Sequence, residues 1–174
     1  MLLPTMIRPF SLAVLLCAAA AVTAASQPAQ PNADEAAILA VVDRFMVAVS
    51  TNDSALMAEL RIEGGSTIVA RPDPAGGAAP LVTRRVFSGA TPPRTGTVRE
   101  RYWDPVVHVR SGIAVVWTPY ELWIDGKTSH CGIDVFDMMK DKGVWKIANA
   151  MWTVEPDACP ALRPADPTRL RPRG

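Results

Sequence analysis

Residues 124–153, IDGKTSHCGIDVFDMMKDKGVWKIANAMWT, carry two turn signals in β-rich surroundings, Asp125-Gly126 and Asp141-Lys142-Gly143. Asp-Gly between alternating apolar residues is a strong hairpin signal, because both central residues of a type I′ turn need a positive φ. The stretch reads as two strands, and IAVVWTPYELWI at 113–124 adds a third in front of them. With a two-residue turn at Asp125-Gly126, Ile124 opposes Lys127, so Glu121 opposes His130 and Trp117 opposes Asp134. One face then holds Ile113, Val115, Trp117, Pro119, Glu121 and Trp123 with Thr128, His130, Gly132, Asp134, Phe136 and Met138. The other holds Ala114, Val116, Thr118, Tyr120 and Leu122 with Ser129, Cys131, Ile133, Val135 and Asp137. The first face is aromatic and has three ionisable groups, which suits a cavity wall better than a plain core, since buried charge is costly unless paired or used. The second suits packing against helices or a partner subunit.

Outward from this stretch, 98–110 is a further β-rich run, and all five tryptophans (103, 117, 123, 145 and 152) fall between 97 and 154. Four runs at 98–110, 113–124, 127–139 and 144–154 with short connections predict an antiparallel meander. Upstream, Asn32 followed by Glu35 reads as a capping box. Ile38, Val41, Val42, Phe45 and Val49 then follow a helical period up to about Asn52. Asp53-Ser54 can cap a shorter helix with Leu56, Met57 and Leu60, stopped by Gly64-Gly65. STIVA at 66–70 and Thr83–Phe87 are strand candidates, and 88–96 reads as loop. After Glu155, prolines at 156, 160, 164, 167 and 172 alternate with arginines, which predicts a disordered or draped tail over 156–174 without regular structure. Helices first and strands afterwards make an α+β domain over 34–155.

The first 25 residues differ in kind. Arg8 is their only charge, FSLAVLLCAAAAV at 10–22 is almost wholly apolar, and Thr23-Ala24-Ala25 follows. This is the pattern of a secretory signal peptide cut near Ala24 or Ala25, with 26–33 as a linker, and it predicts a periplasmic or secreted protein with no membrane span once the leader is removed. Beyond the leader, 17 basic residues face 17 acidic ones and no Lys/Arg run stands out, which argues against nucleic acid as a partner. Of three cysteines, Cys17 lies in the leader; Cys131 and Cys159 could pair in an oxidising compartment or stay as free thiols. No metal-ligand spacing accompanies them.

The order of elements, and IDGKTSHCGIDVFDMMKDKGVWKIANAMWT above all, resembles the nuclear transport factor 2-like superfamily in its SnoaL-like bacterial branch. The resemblance covers about residues 34–155. It implies a cone in which three helices close a curved sheet around a deep apolar pocket, commonly as a homodimer. The third helix is less evident here, since 84–96 holds two prolines and two glycines. Enzymes of that superfamily include isomerases, dehydratases, cyclases and cofactorless lyases that move a proton in an apolar pocket. None of their functional residues maps onto this chain by motif.

The register count supplies the candidates instead. His130, with an ordinary pKa of about 6.5, is the candidate base, Asp134 a second acid/base, and Glu121 a group to orient His130. Asp134 lies roughly 13 Å along the strand from His130 at about 3.3 Å per residue, so the two would meet through a substrate. Trp117, Trp123 and Phe136 could stack a ring. Asn149 falls opposite Asp134 with a two-residue second turn and on the aliphatic face with a three-residue one. Arg85, with Arg84, Arg99 and Arg101, could hold an anion, and His108 reads as a strand surface residue. The expectation is a cofactor-independent lyase, dehydratase or isomerase of a small aromatic or polycyclic molecule. The alternatives are a non-catalytic ligand-binding or dimerisation domain and an aromatic interface. P-loop, dinucleotide and Ser-His-Asp patterns are missing, which argues against nucleotide, redox and protease roles.

Overall fold

The computed structural model describes residues 33–89 and 94–172. The leader, the linker up to Asn32, the Asn32 cap and part of the 88–96 loop lie outside these residues. Helix α1 (Ala33–Thr51) buries Ile38, Val41, Val42, Phe45, Met46 and Ala48, with Val49 half-buried beside them. Helix α2 (Ser54–Leu60) starts as its sequence suggests, with the Asp53 carboxylate accepting from the Leu56 N–H at 2.9 Å. Such a cap satisfies an amide that the first helical turn leaves unpaired.

The strands are β1 (Ser66–Arg71), β2 (Leu81–Val86), β3 (Val98–Tyr102), β4 (Val106–Arg110), β5 (Ile113–Ile124), β6 (Lys127–Asp141) and β7 (Val144–Thr153). They form one seven-stranded sheet in the order β2-β1-β7-β6-β5-β3, with β4 also on β5. Two features depart from the expected meander. The run 98–110 is broken at Trp103-Asp104-Pro105, where Asp104 takes a φ of 47°, so β3 and β4 lie one after the other along β5. The sheet is also mixed, because β1 runs parallel to β7. Among the described residues only α1 and α2 precede the sheet; Leu81–Val86, in the region where a third helix is implied, is strand.

Along β5 the even positions 114, 116, 118 and 120 are buried and 113, 115 and 117 exposed, the period-2 signature of a sheet covered on one side. Phe136, Met138, Trp145 and Ile147 from β6 and β7 join Ile38, Val42, Phe45 and Met46 of α1 in one core. Burying each large side chain of this kind contributes about 1.5–3 kcal/mol, and the sheet curls around this layer.

The end of the chain is draped and not irregular throughout. It forms a short helix α3 (Cys159–Leu162) and a 3₁₀ turn (Pro167–Arg169). A disulfide joins Cys131 on β6 to Cys159, 28 residues on, and Trp103, Leu162 and Leu170 pack around it. The Trp103 indole donates to the Leu162 carbonyl at 2.8 Å. Further on, Arg171 and Tyr102 exchange backbone hydrogen bonds at 2.7 and 2.9 Å. The Arg171 guanidinium and the Tyr102 hydroxyl both bond Asp43 of α1. Prolines exclude a long helix here, but side-chain partners on the sheet still fix the path.

Closing a loop of this length by a disulfide contributes on the order of 2–4 kcal/mol through the unfolded chain. Cys131→Ala with Cys159→Ala should therefore lower the melting temperature by several degrees in non-reducing buffer and make it indifferent to reductant. Equal melting of the double variant and the oxidised parent would show that the bridge does not hold the tail.

Candidate functional site

The concave side of the sheet, under α1, encloses a cavity of about 350 Å³. Its apolar wall comes from Phe45 and Val49 of α1, Val98, Leu122, Ile124, Phe136 and Trp152 of the strands, and Val154. Its polar groups are Arg71 at the end of β1, Arg94, Glu100 on β3, Tyr120 on β5, and His130 and Asp134 on β6.

What faces the cavity is set by a β-bulge. Ile124 pairs with Lys127 and Trp123 with Thr128, as counted, but the register then shifts and Leu122 pairs with His130. Ser129 is the extra residue. Beyond it Glu121 opposes Cys131, Tyr120 opposes Gly132 and Thr118 opposes Asp134, so the expected pairings of Glu121 with His130 and Trp117 with Asp134 do not form. The aromatic face is split as a result. His130, Asp134 and Phe136 line the cavity, whereas Trp117, Glu121 and Trp123 lie on the opposite side of the sheet.

Glu121 does not orient His130. Its carboxylate accepts from Thr128 at 2.6 Å, from the Arg163 Nε at 2.9 Å and from the Trp123 indole, under the C-terminal segment. Burial alone would raise its pKa, but these bonds, Arg163 foremost, hold it below the usual carboxylate value. Trp123 carries the Arg99 and Arg101 guanidiniums near its ring, and Trp117 is 51% exposed. Asn149 meets neither expectation in full. The second turn is two residues long, but another bulge between the Asp137 and Met138 pairings brings Asn149 opposite Asp137, whose carboxylate accepts from its amide at 3.1 Å. Arg85 lines a neighbouring hollow with Phe87 and Trp152, and Arg84 donates to the Ser66 hydroxyl. Cys131 and Cys159 are taken up in the disulfide; the nearby Glu121 oxygen is within 4.8 Å of both sulfurs.

Four polar side chains that the register count did not select complete the site: Glu100, Tyr120, Arg71 and Arg94. Gly132 makes room for one of them. A Cβ there would stand 2.2 Å from the Thr153 carbonyl oxygen and 2.9 Å from the Tyr120 ring, so the ring crosses β6 at that point. The Tyr120 hydroxyl then donates to the Thr153 carbonyl at 2.7 Å, and its ring meets His130 edge-on at 5.7 Å.

Desolvation governs the charges. Asp134 is 4% exposed, its Oδ2 has no hydrogen-bond partner, and burial, reinforced by nearby Glu100, drives its pKa well above the usual value. Half-buried Glu100 is pushed by burial from 4.5 up to about 7, against the pull of Arg94. Burial, with the Arg71 charge, holds the imidazolium of His130 below its ordinary pKa of 6.5. The Ser129 hydroxyl is 3.0 Å from its Nδ1. An imidazole whose charged form is disfavoured and a carboxyl that holds its proton more tightly than usual thus line one apolar space, an arrangement suited to accepting a proton at one point and donating a hydrogen bond at another.

No protein-family profile matches the chain, and no curated protein does. Solved structures do. A protein of unknown function with a cystatin-like fold from Nostoc punctiforme aligns with a TM-score of 0.56 at 11% identity, over 74% of this chain and 97% of that one. A nuclear transport factor 2-like protein from Novosphingobium aromaticivorans gives 0.55 at 14% identity, over 75% and 89%. From the same organism, a protein provisionally named the beta subunit of an aromatic-ring-hydroxylating dioxygenase gives 0.55 at 12% identity, over 70% and 89%. At these identities the likeness concerns the fold: the chain has the nuclear transport factor 2-like, cystatin-like architecture, of the α+β class.

A folded-state carboxyl with a raised pKa keeps its proton where the unfolded chain has lost it, so stability falls with pH between the two values. For Glu100 that window runs from 4.5 to about 7. His130 acts in the opposite sense just below 6.5, which makes the comparison of variants the cleaner measurement. Glu100→Gln should gain stability relative to the parent as pH rises across this window, and Asp134→Asn should do the same. Parallel curves of melting temperature against pH for parent and variants would refute the assignment.

Proposed function

We propose that this cavity is the active site of a cofactor-independent acid/base enzyme, a lyase, dehydratase or isomerase acting on a small aromatic or polycyclic molecule. The observation that carries the proposal is the unpartnered, buried Oδ2 of Asp134, a residue that lines an apolar cavity together with His130. Buried polar atoms are nearly always paired, and one left over in a cavity is suited to a ligand. About 350 Å³ falls within the range of small-molecule sites.

In this scheme the ring lies among Phe45, Phe136 and Trp152, and His130 takes a proton from a carbon made acidic by an adjacent carbonyl. The protonated Asp134 carboxyl donates to the carbonyl oxygen as it gains negative charge. Return of the proton at another carbon completes an isomerisation; loss of a β-substituent completes an elimination. Stabilisation of the oxyanion in a water-poor site is the largest contribution expected. Glu100 is the second acid within the same cavity.

The sequence resemblance supports placing the chain in the SnoaL-like branch. A binding protein without turnover is the competing function, favoured by the Tyr120 hydroxyl, whose hydrogen bond to the Thr153 carbonyl occupies an otherwise natural oxyanion donor. We also propose export and a homodimer. The apolar leader and the disulfide support the first. Exposed Val106, Ile113, Val115, Trp117 and Met139 on the convex side of the sheet support the second, since a patch of this kind suits burial by a second copy.

Wash-in of solvent deuterium beside the carbonyl of aromatic and polycyclic ketones reads proton transfer without knowledge of the product. His130→Ala and Asp134→Asn should each slow it about 100-fold or more, with ligand affinity changed far less. Binding without exchange in the parent protein would favour the non-catalytic function. For assembly, light scattering on protein recovered from the periplasm should give a dimer of chains lacking the first 24 or 25 residues. Trp117→Lys should give monomers; a parent protein that is monomeric and full-length would overturn both proposals.

A further inference from the structure

Two guanidiniums line the cavity, and one of them has a buried N–H without an acceptor. Arg94 at its rim donates to the Val49 carbonyl at 2.5 Å, at the end of α1. Arg71, by contrast, has a buried Nε with no hydrogen-bond partner and no ion pair among the described residues. A buried guanidinium N–H without an acceptor costs free energy, which a ligand that draws the guanidinium toward the cavity can recover. The planar fork of donors matches a carboxylate, which accepts two parallel bonds from it.

Position points the same way. Arg71 ends β1 and lines both the cavity and an outer groove formed with Pro72, Asp73, Pro80 and Glu155. Arg71 and Val154 belong to both linings. The acids on the groove side are engaged locally: Asp73 accepts from the Ala75 amide at 2.9 Å and Glu155 from the Thr153 hydroxyl at 2.6 Å. Inside, the two carboxyls hold their protons more tightly than usual and burial disfavours the charged form of His130, so the charges that favour an entering anion are those of Arg71 and of Arg94, and Arg94 is already bonded to the Val49 carbonyl. The other arginines considered for anion binding lie elsewhere, Arg84 on Ser66 and Arg99 and Arg101 at Trp123.

We infer that the preferred ligand is a small aromatic carboxylate, its carboxylate held by Arg71 and its ring by Phe45, Phe136 and Trp152. This rests on the cavity being a ligand site, and it adds the chemical class of the ligand and a binding residue.

Matched pairs test it: benzoate against benzamide and 2-naphthoate against 2-naphthamide, by titration calorimetry on the folded full protein at pH 6. The carboxylates should bind about tenfold or more tightly than the amides. Arg71→Met should erase that preference while leaving the amides within about twofold of the parent. Arg71→Lys, which keeps the charge and loses the fork, should retain a smaller preference, and it decides the matter if Arg71→Met does not fold. Amides that bind the parent as tightly as carboxylates, or a preference unchanged by either substitution, would overturn the inference and leave the ligand site standing. If no member of either pair binds, the ligand-site proposal fails and takes this one with it.

Discussion

Strand β6 carries Ser129 as a residue without a counterpart on β5, and from that point the two strands are offset by one. Side chains alternate strictly along a strand, so a single extra residue exchanges one strand's faces relative to the other. Which residues of β5 share the cavity wall with His130 and Asp134 follows from that offset. It sets His130 and Asp134 beside Tyr120 and Leu122, and it sends Glu121 to the convex side, where Arg163 receives it. A second bulge on β7 brings Asn149 to Asp137 and leaves Trp152 opposite Asp134 on the concave side.

The cavity that results is governed by desolvation more than by ion pairing. Polar groups enter it from four strands, yet no ion pair among the described residues involves Asp134, Glu100 or Arg71. A paired set would be electrostatically quiet and inert. Unpaired groups in an apolar surround move their proton affinities toward neutrality, which is the condition for exchanging protons with a guest. The convex side shows the opposite solution, with Glu121 bonded on every side and held ionised.

Much of the fold could be read in the sequence. The amphipathic stripe of α1, the Asp53 cap and the tight turns at Asp125-Gly126 and Lys142-Gly143 each depend on local chemistry, and each appears in the structure. The parallel pairing of β1 with β7 was not legible, since no local signal specifies a partner some 80 residues away. The site was legible by half. His130, Asp134 and Phe136 share one strand, so their common face survives any shift of register. Glu121, Trp117 and Trp123 were assigned across the hairpin, and the bulge removed them. SHC at 129–131 has no glycine or proline to announce such an insertion. Glu100, Arg71 and Tyr120 come from separate strands, and only the tertiary structure brings them to one space.

The C-terminal segment works as a strap. Cys159 bonds β6, Arg163 covers Glu121, and Arg171 ties Tyr102 to Asp43 of the first helix. Its covalent clasp closes only where thiols can be oxidised. A chain kept in a reducing compartment would hold the strap by its hydrogen bonds and ion pairs alone, and trimming the proline-rich end as though it were a tail would remove those as well.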